Sequence, residues 1–313
     1  MSFASDIKNE TAQKVLGGSD ARAELCALIQ MTSSLSLSSR GMGLLIQVEN
    51  AAVARVIYRL IKERYQAETE LFVKRKMNLK KNRVYGLRVV TEGKTILEDL
   101  GIYTSKGLRS RPLQKIVTTD NNARAYLMGA FMASGSINPP EKTSYHLEIS
   151  AANEEHAQFL VECMERFDIP AKTVERRGKQ VVYVKAAEKI GDFLRCIDAS
   201  DALMKFEDIR ISRDFTNSIT RLNNCDVANE VKTQAAASKQ LEDIRVLEEA
   251  GKMDDLDEKV RDVALLRLEF PESSLRELAD VYERRTGTAV SKSGMKHRFV
   301  KIHELAEKEL KKQ

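Results

Sequence analysis

The sequence predicts an α+β chain in which one helix-and-strand unit is used twice before the chain turns wholly helical. Three observations predict it. The nonapeptide LMGAFMASG at 127–135 has a fainter twin, LCALIQMTS, at 25–33, an offset of 102 residues. Each copy is followed, in the same order, by strand-like runs, a capped amphipathic helix, a hairpin and a closing helix. Beyond residue 210 the strand signals stop and polar helical patterns take over. The expected organisation is a repeated domain over 1–210, with pseudo-repeats at about 20–115 and 120–210, a helical linker at 211–255, and an all-α domain at 256–313.

The elements follow from local pattern. Read as a helix, 127–135 puts Gly129, Ala133 and Gly135 on a face that another helix backbone can approach closely, with Tyr126, Ala130, Phe131 and Ser134 completing the turns around it. After the first copy come strand-like runs at 33–38 and 44–48. Asn50 then caps a helix reaching Tyr65, with Val53, Val56, Ile57, Leu60 and Ile61 at helical spacing. After the second copy, 145–150 reads as a strand. Asn153 caps a helix to Phe167, whose first turn carries Glu154 and Glu155, where they suit the helix dipole. Hairpins follow in both halves, 71–77 with 84–90 around Lys80, Lys81 and Asn82, and 172–176 with 181–185 around Arg177, Gly178 and Lys179. Closing helices are expected at 95–100 and 187–197.

Composition excludes several classes. No run of about 18 apolar residues offers a membrane span, and the N-terminus lacks an apolar signal core. Residence in the cytoplasm is expected. The four cysteines (Cys26, Cys163, Cys196 and Cys225) form no C-x-x-C pair, so neither a zinc site nor a disulfide framework is expected, and buried reduced thiols are. Net charge is +5, but its distribution is uneven. Residues 72–88 hold seven basic residues and no acid: Lys74, Arg75, Lys76, Lys80, Lys81, Arg83 and Arg88. Residues 291–313 are also basic, whereas 241–258 are acidic. Two basic patches suit a polyanionic partner. Gly93-Lys94-Thr95 resembles the end of a P-loop, but Arg88 stands where its first glycine is required.

The C-terminal part opens on a polar cluster of Asn217, Asn223, Asn224, Cys225 and Asn229. It reads either as a capped helix–helix joint, the reading preferred on turn chemistry, or as phosphate contact by Arg213 and Arg221. Three helices follow. Val260, Val263, Ala264 and Leu266 mark the first. Ser274 and Glu277 form a capping box opening the second. Gly287 marks a turn, and Ser291 caps the third, whose inward stripe is Met295, Phe299, Ile302 and Leu305. Its outward face carries Lys292, Lys296, His297, Arg298 and Lys301. A short helix, a turn and a longer basic helix make a helix-turn-helix over 274–307, which offers the first residues of the last helix to the major groove. Arg276, Ser291, Lys292, Ser293, Lys296, His297, Arg298 and Lys301 are the expected DNA-binding residues there, since Arg, Lys and Ser can bond base edges.

The nonapeptide and its twin resemble the paired motif helices of the LAGLIDADG homing endonucleases. That resemblance implies a two-repeat fold whose antiparallel sheets form a saddle over DNA. It places Lys74, Lys76, Lys80, Lys81, Arg83 and Arg88 on a DNA-facing sheet, where contact would be mainly to phosphates, spaced along the duplex at one charge per ~1.7 Å. The matching positions for the metal-binding acids are Thr32 and Ser134, and a neutral hydroxyl is a poor ligand for a hard cation. Cleavage is therefore not expected.

Nearly the whole chain is similar to the WhiA family of sporulation and cell-division regulators. The strings that carry the resemblance are GAFMASGSINPPEKTSYHLEI, RLNNCDVAN, LRLEFPESSLRELA and SKSGMKHR. Met128 stands where that family usually has Arg, Ala279 where it has Gly and Thr220 where it has Asn. The connection at 282–288 is longer than usual. The resemblance implies a sequence-specific, nucleoid-associated transcriptional regulator acting in cell division and chromosome segregation, with sporulation in sporulating relatives. It implies double-stranded DNA as partner and leaves room for other transcription or division proteins. No cofactor, metal, membrane or enzymatic activity is expected. A metal-dependent endonuclease with displaced acids, and a division scaffold with secondary DNA binding, stay open as alternatives.

Overall fold

The computed structural model describes residues 2–38, 41–75, 83–142 and 144–311. Lys76, Lys80, Lys81 and the first hairpin's turn lie outside the described residues. The chain divides into two units, 1–213 and 214–313.

The first unit opens on a helix not anticipated from the sequence, α1 (Phe3–Thr11), capped by Ser2 and anchored through buried Phe3 and Ile7. The first repeat then runs α2 (Gly18–Thr32), β1 (Ser33–Ser38), β2 (Gly41–Val48), α3 (Ala51–Tyr65), β3 (Thr69–Arg75), β4 (Arg83–Val89) and α4 (Gly93–Asp99). Asn50 caps α3 as expected, accepting from the Ala52 and Val53 amides. A small ribbon, β5 (Tyr103–Thr104) with β6 (Gly107–Leu108), separates the repeats.

The second repeat runs α5 (Asp120–Ser134), β7 (Gly135–Ile137), β8 (Leu147–Ala151), α6 (Glu154–Glu165), β9 (Lys172–Arg176), β10 (Lys179–Val184) and α7 (Ala187–Cys196). Strand β7 is too short to show a period of its own in the sequence. Arg177 and Gly178 both take positive φ, 53° and 72°, so the second hairpin turns in two residues. The sheets have strand orders β1-β2-β4-β3 and β7-β8-β10-β9, the same topology twice. One hydrophobic core serves both halves.

Helices α2 and α5 form the seam between the halves. A Cβ built on Gly129 would lie 2.5 Å from the Glu24 carbonyl oxygen and 3.1 Å from the Ala27 methyl, so the close approach expected at Gly129 is real. Gly135 has a different role. It caps α5 at an ordinary φ of −66° and starts β7. At the other end of the seam, the Asn122 amide donates to the Asp20 carboxylate at 2.6 Å. Those two residues are 102 apart. They are one position of the repeat meeting its own copy, as residues beside a local twofold axis do.

Helix α8 (Ser200–Glu249) has 50 residues. The expected joint at 217–229 is absent, because the polar cluster lies inside this helix, where Asn is tolerated when its side chain points to water. Cys225 is exposed there, contrary to the expectation of four buried thiols; the other three are buried. In the second unit, α9 (Glu258–Glu269), α10 (Leu275–Thr286) and α11 (Lys292–Leu310) close a core with Ile244 and Leu247 of α8. The inward stripe of α11 is Met295, Phe299, Ile302 and Ala306. Leu305, one residue short of the stripe's last turn, is exposed.

Candidate nucleic-acid interface

The helix-turn-helix is built by its caps. Ser274 accepts from the Glu277 amide at 3.3 Å, and the Glu277 carboxylate accepts from the Ser274 amide at 2.7 Å. These bonds hold the Glu277 carboxyl below its usual range. Gly287 ends α10 at φ 68°, a conformation that costs a residue with Cβ but not glycine. Ser291 then caps α11, accepting from the Gly294 amide at 3.1 Å.

The opening of α11 is exposed at Ser291, Lys292, Ser293, Lys296 and His297, and Lys301 continues that face. Arg276 on α10 is exposed as well. The helix's first amides add positive potential where these side chains gather. Arg298 departs from the outward set. It is half-buried, with its guanidinium 4.5 Å from the centre of the Tyr282 ring, and so ties α11 to α10.

Sequence reading missed Arg267, the largest fully buried side chain. Its Nε donates to Gln240 at 3.0 Å, and Nη1 donates to the carbonyls of Phe270, Pro271 and Ser273. The guanidinium also lies 5.4 Å from the Phe299 ring centre. One cation thus fixes the loop that opens α10 and packs on α11. The available signal was a charged residue beside the inward positions Val263, Ala264 and Leu266.

In the first unit the register sorts the basic hairpin onto two faces. Paired residues share a face and successive residues alternate. Lys74 pairs with Val84 and Arg88 with Glu70 and Leu45, on the face away from the helices. There Arg88 also bonds Glu70 at 3.1 Å. Phe72 lies over Gly86, with the Lys74 ammonium 5.1 Å from its ring centre. Arg83 pairs with Arg75 on the opposite face, that of buried Leu87 and Val89. The six-residue sheet set therefore does not form one surface among the described residues, because a period of two separates residues that a count of charge puts together. The second sheet's equivalent open face carries Lys172, Arg176 and Lys179 beside Tyr183 and Glu148. Arg176 reaches Glu148 at 3.5 Å.

The two positions that resemblance assigns to metal-binding acids both bond backbone carbonyls, Thr32 within its own helix and Ser134 on strand β8. The Thr32 hydroxyl donates to the Leu28 carbonyl at 2.6 Å, and the Ser134 hydroxyl to the Ser150 carbonyl at 2.7 Å. Both hydroxyls are held by backbone. Among the described residues no group of three or more His, Cys, Asp or Glu side chains converges, and no helix is long and apolar enough to cross a membrane.

A duplicated helix-and-strand unit with paired motif helices, followed by a helix-turn-helix, defines a two-part protein class with a LAGLIDADG-like domain at its N-terminal end. Three family models match this chain in that order: the WhiA N-terminal LAGLIDADG-like domain at 19–103, the WhiA LAGLIDADG-like domain at 123–216 and the WhiA C-terminal HTH domain at 219–306. "Probable cell division protein WhiA" of Latilactobacillus sakei is 48% identical over 308 residues, spanning 98% of this chain and 97% of that protein. Its counterpart in Enterococcus faecalis is 46% identical, spanning 98% of each. The crystal structure of full-length DUF199/WhiA from Thermatoga maritima matches with a TM-score of 0.57 at 23% identity, over 98% of this chain and 99% of that one, a likeness of fold. The chain belongs to the WhiA family of cell-division proteins.

Proposed function

We propose that this protein is a sequence-specific DNA-binding regulator without nuclease activity. It acts on transcription in cell division and chromosome segregation, and in sporulation where relatives sporulate. The observation that carries the reading is the capped start of α11, where Ser291, Lys292, Ser293, Lys296 and His297 are exposed together. Such a helix end suits base edges in the major groove. Arg276 and Lys301 border it as phosphate contacts, and Arg298 acts by positioning the helix on Tyr282. The open sheet faces, through Lys74, Arg88, Lys172 and Lys179, serve as sequence-independent phosphate contacts.

Absence of cleavage is supported by Thr32 and Ser134, neutral groups already bonded to carbonyls. In-line phosphodiester hydrolysis with metal needs carboxylates at such a place. Binding to DNA selected from a random pool tests the reading. Lys292→Ala with Lys296→Ala should remove preference for the selected site, at about 1–3 kcal/mol per lost base contact. Lys74→Ala with Lys172→Ala should weaken binding to all DNA alike and reduce the salt slope by about one per lysine. Unchanged site preference in the α11 variant refutes the reader assignment. Metal-dependent nicking of supercoiled plasmid that follows this chain through purification, and is lost on mutating it, refutes the absence of nuclease activity.

A further inference from the structure

A cavity of about 1570 Å³ opens in the first unit where the two halves meet α1. Ser134 and Gly135 at the end of α5 form one side, the start of α3 another, and Arg83 and Tyr85 of β4 a third. Lys8 enters from α1, whose register is set by buried Ile7 one residue earlier. The lining is cationic. Among the described residues it holds Lys8, Arg55, Arg59 and Arg83 against one acid, Glu49.

Those cations are short of counter-charge. Among the described residues, Lys8, Arg55 and Arg83 have no hydrogen-bond or ion-pair partner; Lys8 has only the Phe131 ring, 5.9 Å from its ammonium. Arg59 differs: it donates one nitrogen to the Lys14 carbonyl at 3.2 Å and interacts with the buried Glu24 carboxyl, though its Nε is buried without a hydrogen-bond partner. Burial lowers the Lys8 ammonium to about 8, with Glu49 acting the other way. Arg55 and Arg83 are exposed and each alone is ordinary, but with partly buried Lys8 and Arg59 they converge on one concavity. Cations gathered in a cleft focus a positive potential that attracts an anion. The same wall offers two half-buried tyrosine rings, Tyr58 and Tyr85, and side-chain amides at Asn9, Gln13 and Gln47. Pockets that bind small molecules combine such flat rings with a few convergent polar groups.

We propose that this cavity binds a phosphorylated small molecule of nucleotide size, with Lys8, Arg55 and Arg83 holding its phosphates and the tyrosine-lined wall taking the remainder. Arg83 is one of the six residues expected on a DNA-facing sheet; its face and its position on the cavity wall give it a different partner from Lys74. The ligand site shares no residue with α11 or with the open sheet faces carrying Lys74, Arg88 and Lys172, although Ser134 on its wall is a position matched to a metal-binding acid, so competition with duplex DNA is part of the test.

Calorimetric titration of the full-length protein with pyrophosphate, ADP, ATP and adenosine, with and without duplex DNA, tests it. Saturable binding of ADP or ATP tighter than about 1 mM, with adenosine at least about tenfold weaker, is expected. Lys8→Met and Arg83→Ala should each weaken nucleotide binding by about tenfold or more, the size of one charge-assisted contact. Arg55→Gln, at an exposed position where folding is not at stake, should do the same to a smaller extent, and Lys74→Ala should change nothing. No saturable binding of any phosphorylated probe up to about 10 mM overturns the proposal, as does adenosine binding as tightly as ADP. Stoichiometric displacement of nucleotide by duplex DNA overturns it too, because the cavity would then belong to the DNA surface.

Discussion

Glu24 and Tyr126 occupy one position of the repeat, 102 residues apart in the two seam helices, and both are fully buried. The second half satisfies its residue. The Ala152 amide donates to His156 Nδ1 at 3.3 Å, which leaves Nε2 carrying the proton in the neutral ring, and the Tyr126 oxygen lies 2.8 Å from Nε2. The first half leaves both carboxylate oxygens of Glu24 without a hydrogen-bond partner among the described residues. Duplication thus preserved the seam's backbone geometry while the polar groups beside it diverged. At Gly129 the Glu24 backbone carbonyl comes within reach of an added Cβ, so the backbone path there tolerates less change.

The largest expected effect breaks this comparison with pH. Burial raises the Glu24 carboxyl from 4.5 to about 7, against the pull of Arg59. The folded state then holds a proton that the unfolded state releases, so stability falls as pH rises through that interval. Burial lowers His156 from 6.5 to about 4. There the unfolded state takes up the proton first, so stability falls as pH drops from about 6.5 toward 4. Each interval spans roughly 2.5 pH units at about 1.4 kcal/mol per unit, or about 3–4 kcal/mol with opposite signs. The two should nearly cancel between pH 4.5 and 6.5. Urea denaturation across pH 4.5–7 should show Glu24→Gln gaining stability relative to wild type as pH rises, and His156→Gln losing it. Parallel pH profiles for the two variants would show that the halves are not opposed.

The next effect is on the seam itself. Gly129→Ala puts a methyl 2.5 Å from a backbone oxygen that cannot rotate away, and should cost about 2 kcal/mol or more. The mirror change, Ala27→Gly, should cost about 1 kcal/mol from helix propensity alone. Equal losses in denaturant midpoints would mean that the two helices approach symmetrically, against the glycine's reading as the crowded side.

Gly129 was legible because a missing side chain at helical spacing is visible in any sequence, and the repeat that contains it was legible through its caps. Asn50, Asn153, Ser274 and Ser291 all cap the helices expected of them. Capping is local chemistry, decided within four residues. What escaped depends on partners far along the chain. Lys8 and Arg83 meet one cavity only because α1 and β4 fold against the same side of the seam. Arg267 is buried by helices on both sides of it in sequence. The split of the basic hairpin into two faces was within reach of a period-two reading, but a run of like charge hides the alternation. The notable misreading of local chemistry is the polar cluster at 217–229, where asparagines that usually mark turns sit in continuous helix.

The smallest effect tests the local twofold axis most directly. Asp20 and Asn122 bond each other at the helix starts, and Asn122 also donates to the Ser19 hydroxyl at 2.9 Å. If the positions are equivalent, exchanging them should restore the bond with donor and acceptor reversed. An aspartate at 122 still accepts from the Thr119 amide as the present residue does at 3.4 Å, and Ser19 can turn to donate. The negative charge moves from the first turn of one helix to the first turn of the other, which the two dipoles receive alike to within a few tenths of a kcal/mol. Asp20→Ala and Asn122→Ala should each cost about 1 kcal/mol, whereas Asp20→Asn combined with Asn122→Asp should cost less than about 0.5 kcal/mol. A double exchange as damaging as the two alanine changes added together would mean that the two helix starts differ in more than the residues they carry, and that the axis relates topology but not the environment of matched side chains.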